Sequence, residues 1–536
     1  MHALTATGTL TRFALRRDRL STTIWTVALA FMAVYPAIAL QTIYPTAADR
    51  QARAALMTNP AAIVMSGPGY GLDDYTIGAI NANEMLLWLM LASAIMNILL
   101  ITKHTRAEEE SGRAELIRAG VVGRYSGMTA ALLAAVVANL AVTVLTALGL
   151  LVAAFDFGDS LLYAAALGVT GMVFAAISAV AAQLAEHARA GTGIAMAVLG
   201  AAVLADGIGN VQETHGNWLS WLSPLAWAQQ TRSFVDARWW PLLISVAVIA
   251  VLVAAGYALS ARRDVGAGLL PARTGRAHGS AMLGSPLGLA LRLQRGLFIA
   301  WAAALTLTGL AMGSLVGAAQ DMLNSNEDIS KKMSALVAPS ATSAADGFIS
   351  VILLFIALLA GVFAVSSTLR LRSEETSGRV EPLLATATGR WRWMGQGLIV
   401  SVVGAAVLLM LGALGLAVTV SADLDRAGEY GRVMQAASAY LVPEVFLCAL
   451  AAVLFGIRSA LAPLAWIAIV YAGVVGMFGG LMNLPDWSQK LSPFHAVPQL
   501  PASDPDFGPL IGFGGAAVVL LVLGLVFFRR RDAALS

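Results

Sequence analysis

Charge is scarce in this sequence. Only 12% of its 536 residues are Asp, Glu, Lys or Arg, about half the share usual in soluble domains. Only four are lysines, Lys103, Lys331, Lys332 and Lys490. A chain of this length cannot cover itself with so little charge in water, so much of its exterior has to face lipid. Cysteine occurs once, at Cys448, which excludes an intrachain disulfide and a cysteine-based metal cluster. The six histidines are scattered and no HExxH occurs, so nothing points to a metal enzyme. A GxxxxGK[ST] phosphate loop is also missing, and no lysine follows a glycine. If ATP drives this chain, hydrolysis belongs on another polypeptide. No cofactor bound by the chain itself is expected, and no nucleic-acid partner.

Apolar residues are what is present. They make up 58% of the chain and fall in blocks long enough to span a bilayer as helices, about 20 residues each. In the first half the runs lie near 22–42, 84–102, 128–153, 161–185, 191–209 and 239–261. In the second they lie near 297–319, 347–369, 396–421, 438–456, 459–481 and 510–528. The chain therefore reads as an all-α polytopic membrane protein with twelve transmembrane helices. Arg12, Arg16, Arg17 and Arg19 precede the first run, as in a signal peptide, but the run is too long for a signal core. It is read as the first membrane helix, the more so because the same arrangement recurs mid-chain.

The two halves repeat each other. TRAEEESGRAELIRAGVVGR at 105–124 aligns with LRSEETSGRVEPLLATATGR at 371–390, with ten identities in twenty. They include Arg106/Arg372, Glu108/Glu374, Glu109/Glu375, Ser111/Ser377, Gly112/Gly378, Arg113/Arg379, Glu115/Glu381 and Arg124/Arg390. ALRRDR at 14–19 matches ALRLQR at 290–295. Trp218, Leu222, Ser223 and Pro224 match Trp487, Leu491, Ser492 and Pro493. The stretches 241–264 and 509–532 both end in Arg-Arg-Asp. Internal duplication is the economical reading: a first six-helix half at 1–264, a linker at 265–290, and a second half at 291–536. Six is even, so both halves enter the membrane from the same side, as parallel repeats do.

With the N-terminus inside, the inner segments hold 25 of the 34 Lys and Arg residues and 11 of the 31 Asp and Glu residues. That excess of basic residues sets the orientation. A multi-pass protein of the cell membrane with both termini cytoplasmic is expected, and both copies of the charged segment then face the cytoplasm.

Two readings of that segment compete. Glu109 and Arg113, like Glu375 and Arg379, are spaced i,i+4 and would support a helix by about 0.2–0.5 kcal/mol. Basic residues after a membrane helix also anchor it. This does not readily explain why Ser-Gly-Arg-x-Glu recurs. The sharper reading is a docking element, one per half, offering two equivalent sockets to a two-fold partner.

RAEEESGRAE and RSEETSGRVE resemble the coupling-helix region of ABC-2 type exporter permeases, and the fused twelve-helix actinobacterial exporters of polyketide antibiotics, the tetronasin-type permeases, match best. SGPGYGLDDYTIGA at 66–79 also looks like that group. The resemblance implies that the charged segments dock an ABC ATPase subunit, in two copies, which carries the ATP and Mg. It implies that LTRFALRRDRL (10–20) and LALRLQRGL (289–297) form interfacial helices before the first span of each half. It places 211–238 and 482–508, with Trp218, Ser223, Pro224, Trp487, Ser492 and Pro493, in outer re-entrant hairpins or a gate. Pro382 replaces Leu116, so the second coupling helix is expected to stop earlier and the sockets to differ.

The substrate path is less legible. Glu84, Asp206 and Glu444 are expected near outer helix ends, and Glu186 and Arg458 near inner ones. That leaves no ionisable group at mid-membrane, which argues against ion coupling. Asn97, Asn139 and Gln183 lie inside runs and either line a path or hydrogen-bond between helices. Export of a hydrophobic or amphipathic compound, drug or lipid, is the reading. The alternatives are an ion-coupled drug antiporter, which needs a buried carboxylate, and a membrane enzyme on lipid-linked substrates, which needs clustered acids or histidines at one face.

Overall fold

The computed structural model describes residues 3–264, 266–269, 278–325, 344–386, 388–423, 428–478, 485–498, 500 and 507–531. It divides into two compact units, Met1–Gly275 and Arg276–Ser536. Among the described residues there is no strand, and twelve helical stretches, six per unit, are long and apolar enough to cross a membrane.

Unit 1 begins with α1 (Thr7–Ile43), α2 (Ala47–Ala54), α3 (Pro60–Ser66) and α4 (Ile77–His104). After α4 come two short helices, α5 (Arg106–Glu110) and α6 (Arg113–Arg118). The unit ends with α7 (Ser126–Val152), α8 (Phe157–Leu184), α9 (Ala188–Gln212), α10 (Pro224–Gln229) and α11 (Pro241–Arg262). Thr76 caps α4 and Asp156 caps α8 through side-chain oxygens that accept backbone N–H groups; this supplies partners the first helical turn otherwise lacks. The basic stretch 10–20 is not a separate interfacial helix: it forms the first turns of α1, which runs unbroken to Ile43. No Gly or Pro lies between Phe13 and Tyr35 to interrupt it.

Unit 2 contains α12 (Pro286–Ser325), α13 (Ala344–Thr376), α14 (Val380–Leu384) and α15 (Arg390–Asp423). It continues with α16 (Glu429–Ala439), α17 (Leu441–Ile457), α18 (Ala465–Phe478), α19 (Asp486–Gln489) and α20 (Gly508–Arg530). Here too the basic stretch 289–297 lies within a long first helix. That helix starts at Pro286, so the end of the expected linker 265–290 is helical; residues 265 and 270–277 lie outside the described set. The fourth span is α16 and α17 together, broken at Tyr440. Pro443 has no N–H to give to the carbonyl one turn back, and its ring crowds that carbonyl. The span therefore begins at Glu429, nine residues before the expected 438. Pro463 likewise leaves Ser459–Leu464 as a 3-10 turn ahead of α18.

Each unit buries α4 and α8, or their counterparts α13 and α17, and leaves its first and last helices largely uncovered. The cores are rich in small residues: Ala33, Ala37, Ala138 and Ala166 in unit 1, Ala357, Ala364, Ala413 and Ala451 in unit 2. A Cβ on Gly309 of α12 would lie 2.0 Å from the Gly412 carbonyl oxygen of α15. Small residues allow such backbone approach where apolar burial offers no net drive in lipid. The uncovered helices expose Ile24, Val27 and Phe31 on α1 and Leu243, Val246 and Val251 on α11, surfaces suited to acyl chains.

Candidate functional site

The duplicated charged segment follows the second span of each unit. In unit 1 the backbone leaves helical geometry at Thr105 (φ −120°, ψ −86°), resumes as α5, and stops at Ser111-Gly112. Gly112 adopts φ +75°, a left-handed conformation that favours glycine and commonly closes helices. Unit 2 has no break at the counterpart of Thr105, since α13 runs on to Thr376. The end is the same, with Gly378 at φ +70° and the Ser377 hydroxyl donating back to Ser373 O at 2.7 Å. The recurring Ser-Gly is thus a helix stop.

The recurring glutamate is a clamp. Arg263, just past α11, donates from Nη1 and Nη2 to both Glu109 oxygens at 2.8 and 2.6 Å. Arg531, just past α20, donates to both Glu375 oxygens at 2.6 and 2.7 Å. Each unit therefore ties its charged segment to the end of its own sixth span. Unit 1 adds Arg106, 1% exposed, which bonds Glu109, the Glu186 carbonyl and the carbonyls of Gly266 and Ala267. Arg372, its counterpart, makes no ion pair among the described residues. A second tie joins the start of the third span to the same helix end. Arg124 Nη2 donates to Ser260 O and Ala261 O at 3.1 and 2.8 Å, and Arg390 donates to Arg531 O. At the start of α1, Arg17 bonds Glu108, and Asp18 accepts from Lys103 and contacts His104.

These contacts revise the expected local pairing. Glu109–Arg113 and Glu375–Arg379 do not form i,i+4 pairs, because each glycine turns the chain between the partners. Arg113 instead lies 3.7 Å from Glu108, and Arg379 lies 3.5 Å from Glu374. Pro382 does not shorten the second element either. It falls in the first turn of α14, where its missing N–H has no helical acceptor anyway, and α14 ends at Leu384, the repeat counterpart of Arg118. What remains exposed at the tips is Ser111, Arg113, Glu115 and Leu116 in unit 1, and Ser377, Gly378, Arg379 and Glu381 in unit 2. Arg263 and Arg531 were visible in sequence only as the paired Arg-Arg-Asp endings; their role needed the fold.

The other shared landmark is also built alike in both units. Trp218 is 73% exposed and Trp487 70%, and Leu222 and Leu491 are exposed with them. Ser223, Pro224, Ser492 and Pro493 are buried. In unit 1 Ser223 caps α10, and α10 is wedged against α4, α8, α9 and α11. In unit 2 residues 482–484, 499 and 501–506 of the corresponding stretch lie outside the described set.

Inside unit 1, Asn97 and Asn139 exchange hydrogen bonds, at 3.1 and 2.7 Å. Gly171 makes room for them: a Cβ there would lie 2.2 Å from Asn139 Oδ1 and 2.6 Å from Asn97 Nδ2. Gln183 is not with them. It accepts from Arg263 at 2.7 Å, beside the clamp. Of the acids expected near outer ends, Glu84 is bound by Arg53 at 2.8 Å and Asp206 by Asn210 at 3.0 Å. Glu444 differs. It lies 15 residues from Glu429 and 13 from Ile457, midway along its span. It is 1% exposed, and neither carboxyl oxygen has a hydrogen-bond partner among the described residues. The expectation that Glu444 lies near the end of its helical stretch does not hold, because that stretch begins earlier than its apolar run.

A family model described as the C-terminal domain of the multidrug efflux system permease Rv1217c matches residues 8–259 and 283–529, so it covers both halves. The multidrug efflux system permease protein Rv1217c of Mycobacterium tuberculosis (strain ATCC 25618 / H37Rv) is 38% identical over 535 residues, 98% of this chain and 95% of that protein.

Proposed function

The chain belongs to the family of the multidrug efflux system permease Rv1217c, and from that premise we propose that it is the membrane subunit of an ABC-2 type exporter. It moves hydrophobic or amphipathic compounds, drugs among them, out of the cell, energised by a separate ATPase present in two copies. The observation that carries this reading is the pair of Glu–Arg clamps. Each holds an exposed, charged tip rigidly to the end of a sixth span. A push on Arg113, Glu115 and Leu116, or on Arg379 and Glu381, reaches that span through a short ionic link rather than a slack loop. Both termini and both tips face the cytoplasm in this reading, and Trp218 and Trp487 lie at the outer surface, where tryptophan anchors at the interface.

Co-expression with candidate phosphate-loop ATPases tests the proposal. The two chains should co-purify, and candidate drugs should stimulate hydrolysis by the complex. Failure to assemble with any such ATPase overturns it.

Glu444 favours a second reading, ion-coupled export, because a mid-membrane carboxyl is a proton-relay position. Reconstituted vesicles separate the two. Transport that persists when the proton gradient is collapsed but stops without ATP supports the first. Transport that needs the gradient, and is lost in Glu444→Gln, supports the second.

A further inference from the structure

Both units contain a cavity at the same place, under the start of the first helix and behind the charged segment. It measures about 100 Å³ in unit 1 and about 50 Å³ in unit 2. Repeat counterparts line the two: Ala14 and Ala290, Glu108 and Glu374, Ile117 and Leu383. Their chemistry differs. The first is bordered by Arg17, Arg124 and Arg263 against Glu108 and Glu109, with His104 beside them. The second has Arg370 against Glu374; Leu293 stands where the first has Arg17, and Trp393 fills the place of Gly127. Arg124 has no acidic partner among the described residues; it spends one nitrogen on the α11 carbonyls. Thr105, Gln183 and Ser260 add polar groups, the remaining lining residues, among them Leu10, Ala14, Ile117 and Met128, are apolar, and Phe13, also in the lining, is 55% exposed on α1.

We propose that the unit 1 cavity binds the phosphate headgroup of an anionic phospholipid, with its acyl chain lying along Phe13 and α1. An excess of arginine at the membrane surface attracts anionic headgroups by about 1 kcal/mol per residue, and basic pockets between membrane helices take them specifically. Exposed Phe13 distinguishes a lipid from a free phosphate ion, which would gain nothing from it. Unit 2 keeps the cavity's position but has lost both its size and its excess positive charge, so the site is single. The proposal rests on the cytoplasmic placement of this end but not on ATP coupling.

Native mass spectrometry of the purified full-length permease tests it, with phosphatidylglycerol and phosphatidylcholine of the same chain length titrated in turn. Phosphatidylglycerol should bind in preference, at one site. Arg124→Gln should weaken that binding roughly fivefold, the equivalent of one surface charge. Gly127→Trp, which copies the second unit, should weaken it at least as much while keeping every charge. A Cβ at Gly127 meets nothing within 4 Å; a melting temperature like that of the parent shows that the variant folds, and it then decides the matter if Arg124→Gln does not fold. Equal binding of the two lipids, or unchanged binding in Gly127→Trp, overturns the proposal. So does displacement of the lipid by millimolar inorganic phosphate, which would identify the site as one for the free ion.

Discussion

Arg263 holds Glu109 by two hydrogen bonds, from Nη1 and Nη2, across 154 residues of sequence, and Arg531 holds both oxygens of Glu375 from Nη2 alone across 156. The side chains are mostly buried, so their attraction is screened less than that of a surface pair. Removing one partner leaves the other as a poorly solvated charge, at a cost of about 3–5 kcal/mol for a fully buried pair.

Glu109→Gln and Glu375→Gln should therefore lower thermal stability in detergent well beyond the effect of a surface change. Exchange of the partners separates the units. Glu375→Arg with Arg531→Glu should recover most of the loss. Glu109→Arg with Arg263→Glu should recover less, because Arg106 also bonds Glu109 and would meet a new cation. Equal recovery in both units would show that Arg106 adds nothing to the clamp.

The exposed tips should behave in the opposite way. Glu115→Lys and Glu381→Lys change exposed groups that make no ion pair among the described residues, so stability should move by no more than about 0.5 kcal/mol. A wrong-sign charge across a docking contact costs several kcal/mol. ATPase assembly and export should fall sharply, most in the double variant. Unchanged assembly in the double variant would reduce the duplicated segment to a membrane anchor.

Gly171→Ala should separate Asn97 from Asn139. The added methyl would lie 2.2 Å from Asn139 Oδ1, and overpacking of this kind costs about 1–3 kcal/mol. Asn139→Ala alone should cost about 0.6–2 kcal/mol, the range for hydrogen bonds between membrane helices. Thermal melting of the two single variants and the double checks this. Since both act on one contact, their effects should not add.

Orientation can be read by labelling, because Cys448 is buried and is the only native thiol. In a Cys448→Ala background, cysteine at exposed Ser111 or Ser377 should be protected from a membrane-impermeant reagent in intact cells. Cysteine at exposed Thr214 should react. Reaction at Ser111 would invert the topology.

The sequence by itself determined the membrane character, the number of spans and the duplication. Those follow from run length, charge scarcity and matching landmarks, which are properties of neighbouring residues. Its errors lay where a local rule met a break. Glu109 and Arg113 have helical spacing, but Gly112 lies between them with positive φ. Pro382 looked like a helix stop, but it occupies a first turn. Glu444 looked peripheral because polar residues between Glu429 and Tyr440 hid the outer part of its helix. Only the tertiary structure decided which partners the repeated charges take. Glu109 meets Arg263 as well as its neighbour Arg106, and Glu375 meets Arg531, because the fold brings the residue just past each sixth span within side-chain reach of the segment after the second, a proximity that sequence spacing does not show.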